Sequence, residues 1–219
     1  MPTSPATHFS RIRLFWRGAQ AILPLMLGVV PFGMIYGVLA RQSGITLPAA
    51  QSMSFIVFAG SSQFIAAQLL HQAVPALVII LTIFIVNLRH ALYSASIAPF
   101  IRHLSPLWKA GLAYFLTDEA YAVAVTHYQK EGSEGFQHYF FLGAGSILWL
   151  CWQISTAVGI GLGTVIPASW SLDFALPLTF IALLIPIIQD RAGLAAALVA
   201  GITALLAYGM PYQLGILTA

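Results

Sequence analysis

The chain has 219 residues, 59% of them apolar and only 7% charged, with a net charge of +3. Soluble domains carry about 25% charged residues, so an ordinary soluble fold is excluded. The few cations also provide no basic surface for a nucleic acid.

Charge is absent from residues 18–40, 42–88, 135–172, 174–189 and 192–219. A bilayer crossing takes about 20 mostly apolar residues as helix. These runs predict an all-α, polytopic membrane protein with six to seven transmembrane segments. Nothing alternates every second residue as barrel strands do. The expected organisation is a disordered cytoplasmic N-terminus over residues 1–16 and one transmembrane permease domain over 17–219. Arg11, Arg13 and Arg17 precede the first apolar run and read as a cytoplasmic anchor. That run exceeds the 7–15 residues or so of a signal-peptide core, so span 1 (17–40) is read as a retained helix. Proline removes a donor and clashes with the preceding turn, so a kink or break of the helix is expected near Pro31 and Gly33.

Span 2 (49–71) holds the polar island Gly60-Ser61-Ser62-Gln63 at mid-span. It predicts a broken helix or a re-entrant hairpin, which a membrane tolerates only inside protein or along a cavity. Span 3 (75–99) carries a second island with Asn87, Arg89, His90 and Tyr93. Span 4 (110–128) has Asp118 and Glu119 at its middle, span 5 covers 138–160, span 6 covers 174–189, and span 7 covers 192–208. Leu23-Pro24-Leu25 with Pro31 faintly echoes Leu176-Pro177-Leu178 with Pro186, a weak sign of an inverted repeat. The positive-inside rule favours a cytoplasmic N-terminus. It counts five cations inside whether span 2 crosses or re-enters, so both topologies stay open.

The ionisable groups within the apolar runs or beside them are Arg89, His90, Asp118, Glu119 and Asp173. A charge at a bilayer centre costs at least about 2.5–3.5 kcal/mol, so Arg89 requires a polar partner. Pairing with Asp118 or Glu119 would neutralise it without any ligand. The same groups also fit a zwitterion. Backbone N–H groups at Gly60, Ser61, Ser62 and Gln63, opening a half-helix, would favour a carboxylate. Asn87, Arg89 and Tyr93 would complete that site, and Asp118 or Asp173 would receive an ammonium group. Phe55, Phe58, Phe64 and Ile65 would line an apolar pocket. His90, Asp118, Glu119 and Asp173 would relay protons or charge, histidine titrating near neutral pH. No Gly-x-Ser-x-Gly surrounds the serines, Cys151 is alone, and His8, His71, His103, His127 and His138 are scattered. No enzyme, cofactor or metal site is expected.

Taken in order, the stretches 28–33 (through Pro31 to Gly33), 58–64 and 87–90, Ala98-Pro99, Thr117-Asp118-Glu119, Trp152-Gln153 and the stretch 172–177 resemble the AzlC/YgaZ family. The family is the large subunit of bacterial branched-chain amino-acid exporters. The resemblance implies export of L-valine, leucine or isoleucine, with methionine for some members. It implies the bacterial inner (cytoplasmic) membrane and a small hydrophobic AzlD/YgaH-type partner subunit. Buried titratable groups add the expectation of proton coupling. A membrane channel or a non-transporting scaffold is the alternative.

Overall fold

In hydrocarbon every backbone N–H and C=O must be satisfied within the chain, and helices do this segment by segment. The computed structural model describes residues 11–132, 136–164 and 191–207, and these hold helices and no strand. In chain order they are α1 (Arg11–Gln42), α2 (Leu47–Val57), α3 (Gly60–His71), α4 (Ala76–Ile101), α5 (Pro106–Tyr114), α6 (Asp118–Glu131), α7 (His138–Leu162) and α8 (Arg191–Leu206). Among them α1, α4 and α7 are long and apolar enough to cross a membrane. Residues 1–10, span 6 with Asp173, and the second member of the faint proline repeat lie outside the described residues.

A different repetition is visible. A long helix is followed by two short ones, then again by a long helix and two short ones, before α7. The joints match. Thr46 holds the N-cap position of α2 at φ −65°, ψ 152°, and Ser105 that of α5 at φ −63°, ψ 156°, neither with a side-chain cap bond and each with a proline in the first two helical positions. Proline there loses only an N–H that would be unsatisfied anyway.

Two expectations are corrected. α1 runs without a break from Arg11 through Pro24 and Pro31 to Gln42. Each proline costs one donor, and neighbouring helices and local adjustment absorb that loss in a membrane helix. The helix also starts at Arg11, ahead of the expected position 17. Span 4 is not continuous. It divides into α5 and α6, so Asp118 and Glu119 open a helix rather than sit in the middle of one.

The chain forms two compact units, neither a single stretch of sequence. The first is Met1–Val30 with Leu88–Ile154. In it the start of α1, the end of α4, the start of α5, the end of α6 and the start of α7 meet at one end. Arg17 makes a two-bond ion pair with Glu131, at 3.0 and 2.5 Å. The Arg11 guanidinium lies 4.3 Å from the centre of the Phe136 ring. Trp108 meets His138 at 4.7 Å between ring centres, and Lys109 Nζ donates to the Arg102 carbonyl at 2.8 Å. α5 and α6 therefore enter and leave at the same end. Gly18 and Gly143 allow α1 and α7 to touch: a Cβ on either would overlap backbone of Phe140 or Phe15.

The second unit is Pro31–Asn87 with Ser155–Ala219. Here α2 leaves the end of α1 by a four-residue loop, and Tyr36 Oη donates to the Ala50 carbonyl at 3.1 Å. α3 runs back beside α4. Ala66, Leu69, Val74 and Ile79 form one buried cluster that joins the end of α3 to the start of α4. The first turn of α3 reaches Asn87, about 17 Å along α4 at 1.5 Å per residue. α2 and α3 thus make a hairpin that opens and closes beside the end of α1. A Cβ on Gly37 or Gly159 would overlap the facing α7 or α1 backbone.

Candidate functional site

The second unit holds one polar centre, at the joint between α2 and α3. α2 ends at Phe58, whose φ of 38° and ψ of 46° are left-handed, and Ala59 is extended. A left-handed conformation costs a residue with a side chain about 1 kcal/mol or more. Burial of the Phe58 ring, 6% exposed, holds it there. α3 then begins at Gly60 with no side-chain cap, and its first backbone bond is Gln63 N to the Ala59 carbonyl. The Gly60, Ser61 and Ser62 amides thus form the positive end of the helix dipole. Ser62 and Gln63 are fully buried, and Ser62 Oγ donates to Asn87 Oδ1 at 2.7 Å. Phe64 is also fully buried, stacked on Phe32 at 4.5 Å between ring centres. Phe55, expected beside it in a pocket wall, is instead 45% exposed on the outer surface.

The first unit holds the other centre, at the joint between α5 and α6. Thr117 is extended and its Oγ1 accepts from Ala120 N at 3.3 Å, capping α6. Asp118 and Glu119 follow in the first turn, where the dipole favours anions. Arg89 Nη1 donates to Asp118 Oδ2 at 2.7 Å. Arg89 lies about 18 Å from the end of α4 at Ile101, by 1.5 Å per residue. α4 is 26 residues long, so Arg89 lies near its middle. The pairing lets an arginine sit where an isolated charge is expensive.

Aromatic side chains follow the pair on both helices. Tyr93 stacks on Tyr121 at 4.6 Å between ring centres, and His90 meets Tyr93 edge-on at 5.9 Å. Tyr121 Oη and Ser96 Oγ share a hydrogen bond of 2.8 Å. Glycine at 145 leaves room for Phe115 at the joint, and Trp149 Nε1 donates to Tyr114 Oη at 2.7 Å. Among the described residues no three of His, Cys, Asp and Glu gather as a metal site would require.

The structure therefore brings together Gly60, Ser61, Ser62, Gln63 and Asn87 in one unit. In the other it gathers Arg89, His90, Tyr93, Asp118 and Glu119. Asp173 lies outside the described residues. Tyr121 escaped the sequence reading. It lies one helical turn after Asp118, and that spacing carries meaning only once Asp118 is known to open a helix. The pair of Ser54 Oγ and Thr156 Oγ1, both fully buried and 3.3 Å apart, was also missed. Isolated hydroxyls in apolar helices carry no signal of their own.

No solved structure matches the chain. A membrane protein of Archaeoglobus fulgidus is 31% identical over 83% of this chain and 80% of its own length. Inner membrane protein YgaZ of Escherichia coli is 26% identical over 90% of this chain and 83% of its own. The branched-chain amino acid transport protein AzlC of Bacillus subtilis is 26% identical over 84% and 74%. Residues 24–166 match the family model described as AzlC protein, a stretch that covers both helix joints and the Arg89–Asp118 pair. This polytopic helical membrane protein belongs to the AzlC family.

Proposed function

We propose that the chain is the permease subunit of an exporter of branched-chain amino acids, working with a small hydrophobic membrane subunit. The observation that carries this reading is the Arg89–Asp118 ion pair, which joins the middle of α4 to the start of a half-helix. Interrupted helices whose N-termini lie at mid-membrane are a recurrent way of binding charged substrates and ions in transporters. The likeness to the Bacillus subtilis transport protein supports the substrate class.

The chemistry divides between the two helix starts. The N–H groups of Gly60, Ser61 and Ser62 carry positive partial charge with no acidic neighbour in sequence, which suits an α-carboxylate. Asn87 holds Ser62 in place. Asp118 and Glu119 suit an ammonium group or a proton. Protonating Asp118 weakens its bond to Arg89, so proton uptake and release of the guanidinium are coupled at one atom pair. Tyr93, one turn after Arg89 on α4, stacks on Tyr121, one turn after Asp118 on α6.

Orientation follows from cations. Arg11, Arg13, Arg17, Arg102, Lys109 and Lys130 belong to the first unit's end where α1 starts, whereas Arg41 is at the far end of α1. By the positive-inside rule the N-terminus is cytoplasmic, and the membrane is the bacterial inner membrane.

The test is counterflow of labelled L-valine in proteoliposomes, with and without the small subunit. Valine accumulates in vesicles preloaded with unlabelled valine, and an imposed proton gradient changes its rate. Absence of counterflow with both subunits present would sink the transport reading. Counterflow that ignores the gradient would remove the proton alone.

A further inference from the structure

Where α4 ends, the first unit carries a groove of about 310 Å³ that the transport reading does not use. Its floor is Ile97, Leu112, Leu116 and Phe141, each at most 5% exposed, and Ala98 lies on its open rim. Two cations line it, Arg102 and Lys109, and among the described residues no acidic side chain does. The hydrogen bond from Lys109 Nζ to the Arg102 carbonyl at 2.8 Å keeps the ammonium group beside its neighbour. The depth is marked independently. Trp108, next to Lys109, packs on His138 and Tyr139, and Arg11 lies over Phe136. Tryptophan and tyrosine at helix ends mark the headgroup layer. An apolar slot therefore runs inward from a doubly cationic mouth at headgroup level.

We infer that this groove holds an anionic phospholipid, its phosphate on Arg102 and Lys109 and one acyl chain along the floor. A bare apolar groove would accept any lipid tail. Two cations without an acid among the described lining residues make the preference anionic. A carboxylate amphiphile shares that chemistry, but a phosphodiester offers more oxygens to two separate cations, so the phospholipid is the occupant.

The full chain in neutral detergent would be titrated with phosphatidylglycerol, with phosphatidylcholine of the same chains, and with oleate, and bound lipid read by native mass spectrometry. Phosphatidylglycerol is expected to bind about 30-fold more tightly than phosphatidylcholine, the factor two surface cations supply. Arg102→Gln with Lys109→Gln should bring it down to the phosphatidylcholine level. Ala98→Trp keeps both cations and fills the groove, and should weaken both phospholipids. Equal binding of the two phospholipids by the unmodified chain, unchanged phosphatidylglycerol binding in the double variant or in Ala98→Trp, or oleate binding as tightly as phosphatidylglycerol would each overturn the assignment. None of these outcomes bears on valine counterflow, so failure here and failure of the transport reading are distinguishable.

Discussion

The Arg89–Asp118 pair has two separable roles, neutralising a charge at depth and handling substrate or protons. Asp118→Asn leaves the guanidinium without its carboxylate, at a cost of up to about 3 kcal/mol, and Arg89→Gln leaves the carboxylate alone. Removing both charges relieves that cost. The expected outcome is that each single variant loses valine counterflow and unfolds at lower temperature, whereas the double variant regains thermal stability and still fails to transport. Transport in the double variant would reduce the pair to charge neutralisation. Arg17 and Glu131 form a different kind of pair, about a third exposed on each side. The Arg17 guanidinium holds the Glu131 carboxyl below its usual value of 4.5. A carboxylate with a lowered folded-state pKa stabilises fully above its unfolded pKa, and the contribution is lost as pH falls through the folded value. The pair is partly solvated, so it is worth at most about 1 kcal/mol. Melting curves of the unmodified chain and of Glu131→Gln should differ by that small amount at neutral pH and converge in acid.

At the scale of the element, glycine positions decide how closely helices pack. Gly159→Ala places a Cβ against Met34 backbone, where nothing flexible can move aside. Overpacking of this kind costs about 1–3 kcal/mol. Gly111, inside α5, has open space where its Cβ would go. Gly111→Ala should stabilise by up to about 1 kcal/mol, through helix propensity alone. Thermal unfolding in detergent checks both signs, and two changes of the same sign would contradict the packing described for α1 and α7. The two helix joints differ in legibility. The first was readable because Gly60-Ser61-Ser62-Gln63 interrupts a long apolar run. The second was not, because Phe115-Leu116-Thr117 is compatible with a continuous helix, and the break shows only in the extended Thr117 with its cap and in Phe115 seated at Gly145. At Pro31 the reverse holds: of the kink or break that the local signal suggests, the break is absent and α1 continues to Gln42.

At the scale of the whole molecule the test is topology. α2–α3 returns to the end it leaves within the second unit, and α5–α6 does so within the first, which predicts that residues 43 and 73 share one side of the membrane and that residues 105 and 132 share a side. With Cys151→Ser as background, Ser43→Cys and Ala73→Cys should react with an impermeant thiol reagent added outside intact cells. Ser105→Cys and Gly132→Cys should react only after the membrane is opened. Opposite accessibility of residues 43 and 73 would mean that α2–α3 crosses after all.

The sequence alone determined the solvent: a chain this apolar and this poor in charge dissolves in lipid, as helices, and any charge at depth must find a partner. It also located that partner's neighbourhood, since Arg89, Asp118 and Glu119 are the conspicuous ionisable groups near the middle of their apolar segments. Tertiary structure decided which apolar stretches run as one long helix and which fold as a pair of half-helices. A hairpin of two half-helices and one full crossing have the same length and hydropathy, and they differ only in whether the backbone breaks at mid-depth. That choice depends on contacts with distant helices, the Arg89 bond to Asp118 and the seat of Phe115 at Gly145, which no local pattern encodes.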